Sequence, residues 1–299
     1  MPSASSHSEH VLAFDLGGSH ISAGLCQLTG PSMTQWNRAG LPADLTGEHF
    51  ADLVFSLSRE LTPDLASLAS LAGAVFAVPG PFDFAAGISQ MRHKLQSLFG
   101  VPLRPLLAER FGWRQDQFYF LNDAGAFLLG EVTVGAAQGA ARAVGITLGT
   151  GIGSAFAMDG RWIANGPGVP PGGEIWNFAY RGGTVEDLLS TRALQADFAR
   201  RTGAQSEVAS IARLADSGSD PAALQVFQDF GVTLGSVFRD VLGPFSPQVV
   251  VIGGGISRSA HLFLPAAEQE LTGLAMRLVP STLLDRAPLL GAAAYWNTH

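Results

Sequence analysis

The chain has 299 residues, of which 47% are hydrophobic and 14% are charged, and its formal net charge is −7. This length exceeds what one hydrophobic core usually supports, so we expect two lobes with a central cleft, and the alternating strand and helix patterns along the chain indicate an α/β protein. The acidic balance excludes a broad basic face for nucleic acid, and no run of about 18 apolar residues indicates a membrane-spanning helix.

Hydrophobic periodicity and turn residues predict alternating strands and helices in the first lobe, which we place at residues 11–122. The expected elements are two strands across 11–28, a strand at 33–36, a helix at 47–60, a strand at 72–78, a helix at 103–111 and a strand at 118–121. The strand at 72–78 ends at a rigid Pro79-Gly80-Pro81 turn. A helix is expected to begin at Asp123, where Asn122 or Asp123 suits the N-cap.

The second lobe, placed at residues 123–285, repeats this plan without a tandem sequence repeat. Its expected elements are strands at 141–148 and 152–158, helices at 186–201, 207–215 and 221–241, and a strand at 248–252. A last apolar helix, within residues 286–297, tolerates proline in its first turn and is expected to pack back on the first lobe.

Two glycine-rich turns each follow an apolar strand: Asp15-Leu16-Gly17-Gly18-Ser19 and Leu148-Gly149-Thr150-Gly151-Ile152-Gly153. Turns without Cβ atoms let backbone N–H groups converge on an anion, and the hydroxyls of Ser19 and Thr150 add donors. Asp15 would hold a hydrated Mg²⁺ near the phosphates. Because the chain has 36 glycines, either turn alone suits an ordinary hairpin equally well, but together they predict a phosphate clamp.

Other nucleotide-binding motifs do not fit these turns. No Gly-Lys-Ser/Thr follows either turn, and the glycines of the dinucleotide fingerprint open a helix rather than join two strands. Asp123 fits the role of a base, because a hydroxyl that attacks a γ-phosphoryl group needs a carboxylate to orient it and accept its proton. The alternative interpretation of Asp123 is a helix N-cap. Both can hold for adjacent residues, since Asn122 can anchor a neighbouring hydroxyl while Asp123 serves as the base.

Five motifs follow one another along the chain. They are Asp15-Leu16-Gly17-Gly18-Ser19, Val78-Pro79-Gly80-Pro81-Phe82-Asp83, Asn122-Asp123-Ala124 with Gly130-Glu131, Leu148-Gly149-Thr150-Gly151-Ile152-Gly153, and Ile252-Gly253-Gly254-Gly255-Ile256. In this order they resemble the ROK family of sugar kinases over residues 11–296. The resemblance implies the actin-like ATPase fold, with two ribonuclease-H-like lobes and with ATP, magnesium and sugar meeting in the cleft.

The resemblance also implies a function, which is phosphorylation of a hexose or hexose derivative by ATP with Asp123 as the base. The implied nucleotide residues are Asp15, Gly17, Gly18 and Ser19 in the first phosphate motif, Gly149, Thr150 and Gly151 in the second, and Gly253, Gly254 and Gly255 in an adenosine motif. The implied sugar residues are Gly80, Asn122, Asp123, Glu174, Asn177 and Glu186. Taken alone, the three consecutive glycines suit a helix-entry turn.

The sugar-binding segment departs from the family pattern Glu-x-Gly-His, because the aligned residues are Gly173-Glu174-Ile175-Trp176-Asn177. Asn177 replaces the histidine, and no cysteine cluster follows, so we expect no zinc site and do not assume glucose specificity. Alternative readings make Glu174 a surface carboxylate and Glu186 an ordinary first-turn residue of a helix. Trp176 could stack on a sugar, but a core position is favoured.

The single cysteine, Cys26, excludes an internal disulfide and is expected in a buried strand. The polar residues 1–10 lack an apolar signal core, which indicates a cytoplasmic protein. Arg92 and Lys94 are expected in solvent rather than facing the cleft. Because dimers are common among ROK proteins, we expect a homodimer.

Two other functions remain open at this point. ROK proteins include sugar-binding transcriptional regulators that need no catalysis, but these carry an additional DNA-binding domain, and too few residues precede the first strand here. The actin-like fold also hosts other phosphoryl-transfer and hydrolysis reactions, because fold does not determine function.

Overall fold

The computed structural model describes residues 9–42, 44–92 and 95–298, so Lys94 and residues 1–8 lie outside the described residues. The chain forms two compact units. One extends to Val134 and also includes the segment that begins at Asp285, and the other spans Gly135–Leu284. The predicted boundary lay at residue 122, whereas the helix that begins at Asp123 belongs to the first unit. None of the helices within the described ranges is both long and apolar enough to cross a membrane.

The first unit alternates strands and helices up to Val134. Its elements in this part are β1 (His10–Leu16), β2 (His20–Gln27), β3 (Met33–Gly40), α1 (Gly47–Leu61), α2 (Leu65–Ala69), β4 (Ala74–Val78), β5 (Phe82–Asp83), β6 (Ile88–Ser89), α3 (Leu103–Phe111), β7 (Phe118–Asn122) and α4 (Asp123–Val134). β3 extends four residues beyond the predicted strand at 33–36 because it pairs with β2 along its whole length.

The second unit contains the remaining elements except the last helix. They are β8 (Arg142–Leu148), β9 (Ile152–Met158), β10 (Arg161–Ile163), β11 (Ala179–Tyr180), β12 (Gly183–Thr184), α5 (Val185–Leu188), α6 (Thr191–Thr202), α7 (Val208–Asp216), α8 (Pro221–Val237), β13 (Val249–Gly253), α9 (Ala260–Glu270) and β14 (Arg277–Pro280). The predicted helix at 186–201 is therefore two helices, because Ser190 adopts an extended conformation and caps α6.

Each unit has a five-stranded sheet, and the two sheets have the same plan. The strand orders are β3-β2-β1-β4-β7 in the first unit and β10-β9-β8-β13-β14 in the second. In each sheet the first three strands are antiparallel and the last two run parallel to the central strand. This repetition agrees with the predicted architectural repeat. The strands that are buried on both faces read as continuous apolar runs, as in β4 and β13.

Aromatic side chains fill one face of the first sheet. Phe14, Phe76 and Phe120 occupy opposite positions on β1, β4 and β7. Their rings stack with centroid separations of 4.6 Å for Phe14 and Phe76 and 5.2 Å for Phe76 and Phe120. Stacked rings of this kind stabilise the register of neighbouring strands. The register in turn brings the carboxyl ends of these three strands to one edge of the sheet.

Helix α10 (Ala287–Trp296) completes the first unit by packing against α4. The two helices approach closely because glycines lie at the contact. A Cβ atom at Gly291 would overlap the carbonyl oxygen of Ala126, and one at Gly130 would overlap that of Ala287. This contact explains why α4 belongs to the first unit.

Candidate functional site

Four of the predicted site residues lie at one edge of the first sheet. Asp15 is near the end of β1, Gly80 follows β4, Asn122 ends β7 and Asp123 begins α4. Asp15 lies opposite Ala77 and Asn122 opposite Val78, so these strand ends are adjacent. Ligands of open α/β sheets bind outside the carboxyl ends of parallel strands, and these residues occupy that position.

Local hydrogen bonds at the start of α4 show which of Asn122 and Asp123 caps the helix. The N–H of Gly125 donates to Asn122 Oδ1 at 3.1 Å, so Asn122 provides the helix cap. The N–H of Ala124 donates to Asp123 Oδ1 at 2.8 Å. The Asp123 carboxylate is therefore oriented by the first turn of the helix without being its N-cap.

The Asp15 carboxyl group lies in an environment that resists its ionisation. Its pKa is raised from 3.8 to about 7, chiefly by burial and in addition by the nearby carboxylates of Asp123 and Asp285, against the lowering effect of Arg38. A cation beside Asp15 would reverse this effect by compensating the negative charges. The site therefore favours a bound metal ion electrostatically.

Arg38 and Asp285 were not predicted as part of this group. Arg38 Nη1 lies 3.8 Å from Asp285 Oδ2, and both side chains are about half exposed. Arg38 is opposite Ser22 on β2, and Ser22 is opposite Asp15 on β1, so the three side chains share a sheet face. The pairing register of β1, β2 and β3 is what places Arg38 beside Asp15. This register cannot be obtained from a single sequence.

The imidazole ring of His20 packs on the first glycine turn. A Cβ atom at Gly17 would lie 2.9 Å from the imidazole ring, and His20 Nδ1 is 3.4 Å from Ser19 Oγ. Burial lowers the pKa of His20, and the positive charge of Arg38 lowers it as well. The neutral ring therefore covers one side of the turn.

The first turn has backbone donors that no described residue accepts. The N–H of Gly17 donates to the carbonyl of His20 at 2.8 Å, which closes the turn. Within the described ranges, no residue accepts a hydrogen bond from the N–H of Gly18 or Ser19. Successive N–H groups of this kind can bind an anion.

The second glycine turn is held by two helices of its own unit. The N–H of Gly149 donates to the Gly151 carbonyl at 2.9 Å, and the N–H of Thr191, at the start of α6, donates to the Gly149 carbonyl at 2.8 Å. The N–H groups of Thr150 and Gly151 have no acceptor among the residues that the structure describes. The exposed Thr150 hydroxyl adds a further donor.

Glu186 lies in the first turn of α5 and is hydrogen-bonded to the second glycine turn. Its Oε2 accepts a hydrogen bond from the N–H of Ile152 at 3.2 Å. A Cβ atom at Gly151 would overlap this same oxygen. The absence of a side chain at Gly151 therefore makes room for the Glu186 carboxylate.

The third glycine motif lies against the strand that leads into the second turn. Gly253 is opposite Thr147 in the parallel pairing of β13 and β8. Gly254 has a φ angle of 83°, and a Cβ atom there would overlap the Leu148 carbonyl oxygen. Glycine is required at this position both for its backbone conformation and for the close approach. Gly255 begins the next helical turn.

The predicted sugar segment is exposed on the second unit. Glu174, Trp176 and Asn177 are all exposed, so the expectation that Trp176 belongs to the core is wrong. The indole Nε1–H of Trp176 donates to Glu174 Oε2 at 2.9 Å. The N–H of Glu186 donates to the Trp176 carbonyl at 3.0 Å, which links this segment to the second turn.

The residues present fit Mg²⁺ and a nucleotide. Among the described residues, no group of three or more histidine, cysteine, aspartate or glutamate side chains could hold a metal ion by itself. Mg²⁺ usually keeps several waters and takes one or two carboxylates from the protein, so Asp15 alone is a sufficient anchor. The N–H groups of both glycine turns that have no acceptor among the described residues suit phosphate oxygens.

Comparison with known proteins identifies relatives over the full length. The ROK family model matches residues 11–299. The chain is 26% identical to the glucokinase of Thermotoga maritima, covering 95% of this chain and 96% of that protein. The ROK hexokinase from Thermus thermophilus is also 26% identical, with a TM-score of 0.77 over 97% of this chain and 99% of its own.

A more distant structure confirms the fold. The ROK family glucokinase from Streptomyces griseus, in complex with glucose and AMPPNP, is 22% identical and has a TM-score of 0.74, covering 97% of this chain and 100% of its own. The actin-like ATPase fold that the sequence predicts is therefore present, in agreement with the two sheets of identical strand order. Because the family match spans nearly the whole chain, this protein belongs to the ROK family.

Proposed function

We propose that this protein is an ATP-dependent kinase that transfers the γ-phosphoryl group of ATP to a hydroxyl of a hexose or hexose derivative. The observation that carries the proposal is the placement of Asp15 and Asp123 at one sheet edge, beside a glycine turn whose Gly18 and Ser19 N–H groups have no acceptor within the described part of the chain. Relatives over the full length that are named glucokinase and hexokinase support it.

Different residues would bind the magnesium ion, the phosphates and the adenosine of the nucleotide. Asp15 would hold hydrated Mg²⁺, which supplies charge neutralisation to the phosphates when bound. The N–H groups of Gly18 and Ser19 and those of Thr150 and Gly151 would donate to phosphate oxygens. The segment Gly253-Gly254-Gly255, where only the first glycine is buried, would admit the adenosine close to the backbone.

Asp123 performs the proton transfer in this proposal. Its carboxylate accepts the proton of the sugar hydroxyl while the hydroxyl oxygen forms a bond to the γ-phosphorus and the bond from that phosphorus to the ADP oxygen breaks. The Ala124 N–H holds the Asp123 carboxylate in place. Asn122 would contact a neighbouring hydroxyl. Gly80 leaves space for the sugar, because a Cβ placed there would have none of the described residues within 4 Å apart from its own chain neighbours.

Glu174, Asn177 and Glu186 would bind further hydroxyls. Glu186 uses one oxygen for the Ile152 N–H and has the other oxygen available. Because Glu186 contacts the second turn, a sugar bound to it lies close to the residues proposed to hold the phosphates. This arrangement would contribute to catalysis mainly by positioning the two substrates.

Replacement of the proposed base tests the function directly. Asp123→Asn should lower kcat by about 10²- to 10⁴-fold in a coupled ADP assay, because an amide does not accept the proton. Sugar binding, measured by calorimetry, should be largely retained. Asp159→Asn is the matched control, since Asp159 is an exposed turn residue with a positive φ angle that asparagine tolerates. Undiminished turnover of Asp123→Asn would remove Asp123 from this role.

The coupled ADP assay and the calorimetric measurement of sugar binding together distinguish the alternative functions. ADP formation by the wild type that does not depend on added sugar would indicate hydrolysis. Sugar binding without any ADP formation would indicate a sugar-binding regulator. A panel of hexoses, amino sugars and N-acetyl sugars identifies the acceptor.

A further inference from the structure

Trp176 is a large aromatic residue that lies in solvent beside a proposed sugar ligand. Its side chain is 44% exposed. The indole N–H donates to Glu174 Oε2 at 2.9 Å, which joins the two side chains. Tryptophan combines an apolar ring face with a single polar donor, so an exposed ring whose donor is already used presents chiefly its apolar face.

The backbone around Trp176 is held on both sides. The preceding residue, Ile175, is buried, and its N–H donates to Ser154 Oγ at 3.1 Å. The Trp176 carbonyl accepts the N–H of Glu186 at 3.0 Å. The ring is therefore presented by a fixed segment, and ordering it on ligand binding costs little conformational entropy.

The hydrogen bond to Trp176 also limits what Glu174 can bind. One carboxylate oxygen receives the indole N–H, and the other oxygen remains for a ligand hydroxyl. A ligand suited to this pair must present a hydroxyl to Glu174 and an apolar face to the indole. A pyranose ring with all its substituents equatorial has this character, because its axial C–H groups form an apolar face and its hydroxyls lie at the rim.

We propose that Trp176 determines acceptor specificity by stacking on the ring face of a gluco-configured pyranose, while its N–H holds Glu174 ready for one hydroxyl of the same ring. This inference rests on the proposed kinase function, because it assigns the acceptor class of that site. An axial hydroxyl on the stacked face would separate the ring from the indole, so epimers with such a hydroxyl bind less well.

Sugar binding without nucleotide tests the inference independently of phosphoryl transfer. Titration of the wild type with glucose should change the intrinsic tryptophan fluorescence, and calorimetry should give the same Kd. Trp36→Phe is the matched control, because Trp36 is 46% exposed but lies on β3 of the other unit. Trp36→Phe should retain the fluorescence change, and Trp176→Phe should lose it.

Kinetic constants distinguish stacking from a structural role. Trp176→Ala should raise the KM for glucose by about tenfold with a much smaller change in kcat, because it removes binding common to ground state and transition state. Trp176→Phe should raise the KM for glucose less than Trp176→Ala does, since phenylalanine keeps a ring face but lacks the N–H. The ratio of kcat/KM for glucose to kcat/KM for its axial epimers, mannose and galactose, should be smaller in Trp176→Ala than in the wild type.

The possible failures are distinct. If calorimetry shows that Trp176→Ala binds glucose with an unchanged Kd and keeps the epimer preference, the inference is overturned while the kinase function stands. If the wild type binds and phosphorylates only sugars with an axial hydroxyl, the acceptor class is wrong. If the wild type binds no sugar at all, the proposed function fails together with this inference.

Discussion

The negative charge of the Asp15 carboxyl group favours metal binding but lowers the stability of the folded protein. It is partly buried near two other carboxylates, so its ionised form is costly in the folded protein without a cation. The same accumulation of negative charge makes the site attractive to Mg²⁺. Residues that bind ligands often lower the stability of the folded protein in this way. Melting temperatures compared at two pH values can measure this loss of stability.

We expect Asp15→Asn to raise the melting temperature, and to raise it more at pH 8 than at pH 5. The folded pKa is about 7 and the unfolded reference is 3.8, so the folded state holds this proton more tightly. The stability that protonation contributes is present below about pH 3.8 and is lost as pH rises through about 7, at about 1.4 kcal/mol per pKa unit. Asparagine carries no charge and avoids this loss.

Differential scanning calorimetry in EDTA, which removes bound metal, checks this expectation. Asp159→Asn serves as the control, because that exposed side chain has no comparable environment. An Asp15→Asn protein that melts below the wild type at pH 8, or by the same difference at both pH values, would contradict the buried-charge account. The variant should also lose Mg²⁺-dependent activity.

At the scale of elements, the turns depend on close contacts between segments that are distant in the chain. The second glycine turn contacts α5 through Glu186 and α6 through Thr191, and β8 before it contacts Gly254. Trp176 connects the exposed sugar segment to α5. The second unit therefore assembles its predicted sugar, phosphate and adenosine motifs from four separate parts of the chain.

Two neighbouring glycines provide a comparison within one turn. Gly254→Ala should lower the melting temperature, because alanine is strained at a φ of 83° and its Cβ overlaps the Leu148 backbone. The strain alone costs about 1 to 2 kcal/mol. Gly255→Ala should have a much smaller effect, since its Cβ position has no described residue within 4 Å other than its chain neighbours. Equal melting temperatures for the two variants would contradict the close contact with Leu148.

At the scale of the whole molecule, the first unit is built from both ends of the chain. Helix α10 packs against α4, and it also contacts β1, β2 and β4. Its Leu289 is fully buried. The unit is therefore incomplete until the C-terminal helix has been added. Homodimer formation stays a prediction at this scale, and sedimentation measurements would test it.

We expect Gly291→Ala to destabilise the protein through the contact between α10 and α4. The added methyl group overlaps the Ala126 carbonyl, and overpacking of this kind costs about 1 to 3 kcal/mol, or a decrease of about 2 to 12 °C in melting temperature. Gly243→Ala is the control, because the space around Gly243 is open. A chain truncated after Leu284 should show no cooperative unfolding of the first unit. Unchanged melting of Gly291→Ala would contradict the close helix contact.

Most element positions could be predicted because they depend on local patterns. The helix expected at 103–111 is Leu103–Phe111, and the strand expected at 152–158 is Ile152–Met158. Cys26 is buried on β2 as predicted. The break between α5 and α6 was missed, because the apolar spacing continues through Leu189 and only the extended backbone of Ser190 interrupts it.

The sequence by itself determined the order of the five motifs, the family that they indicate, the strand that carries Asp15 and the strand-to-helix junction at Asp123. These features depend on residue type and on periodicity along the chain. Only the tertiary structure decided that Arg38 shares a sheet face with Asp15, that Gly254 touches Leu148 and that Trp176 lies exposed against Glu174. Such contacts depend on strand register and on packing between distant segments, and these are set by the whole fold rather than by local sequence.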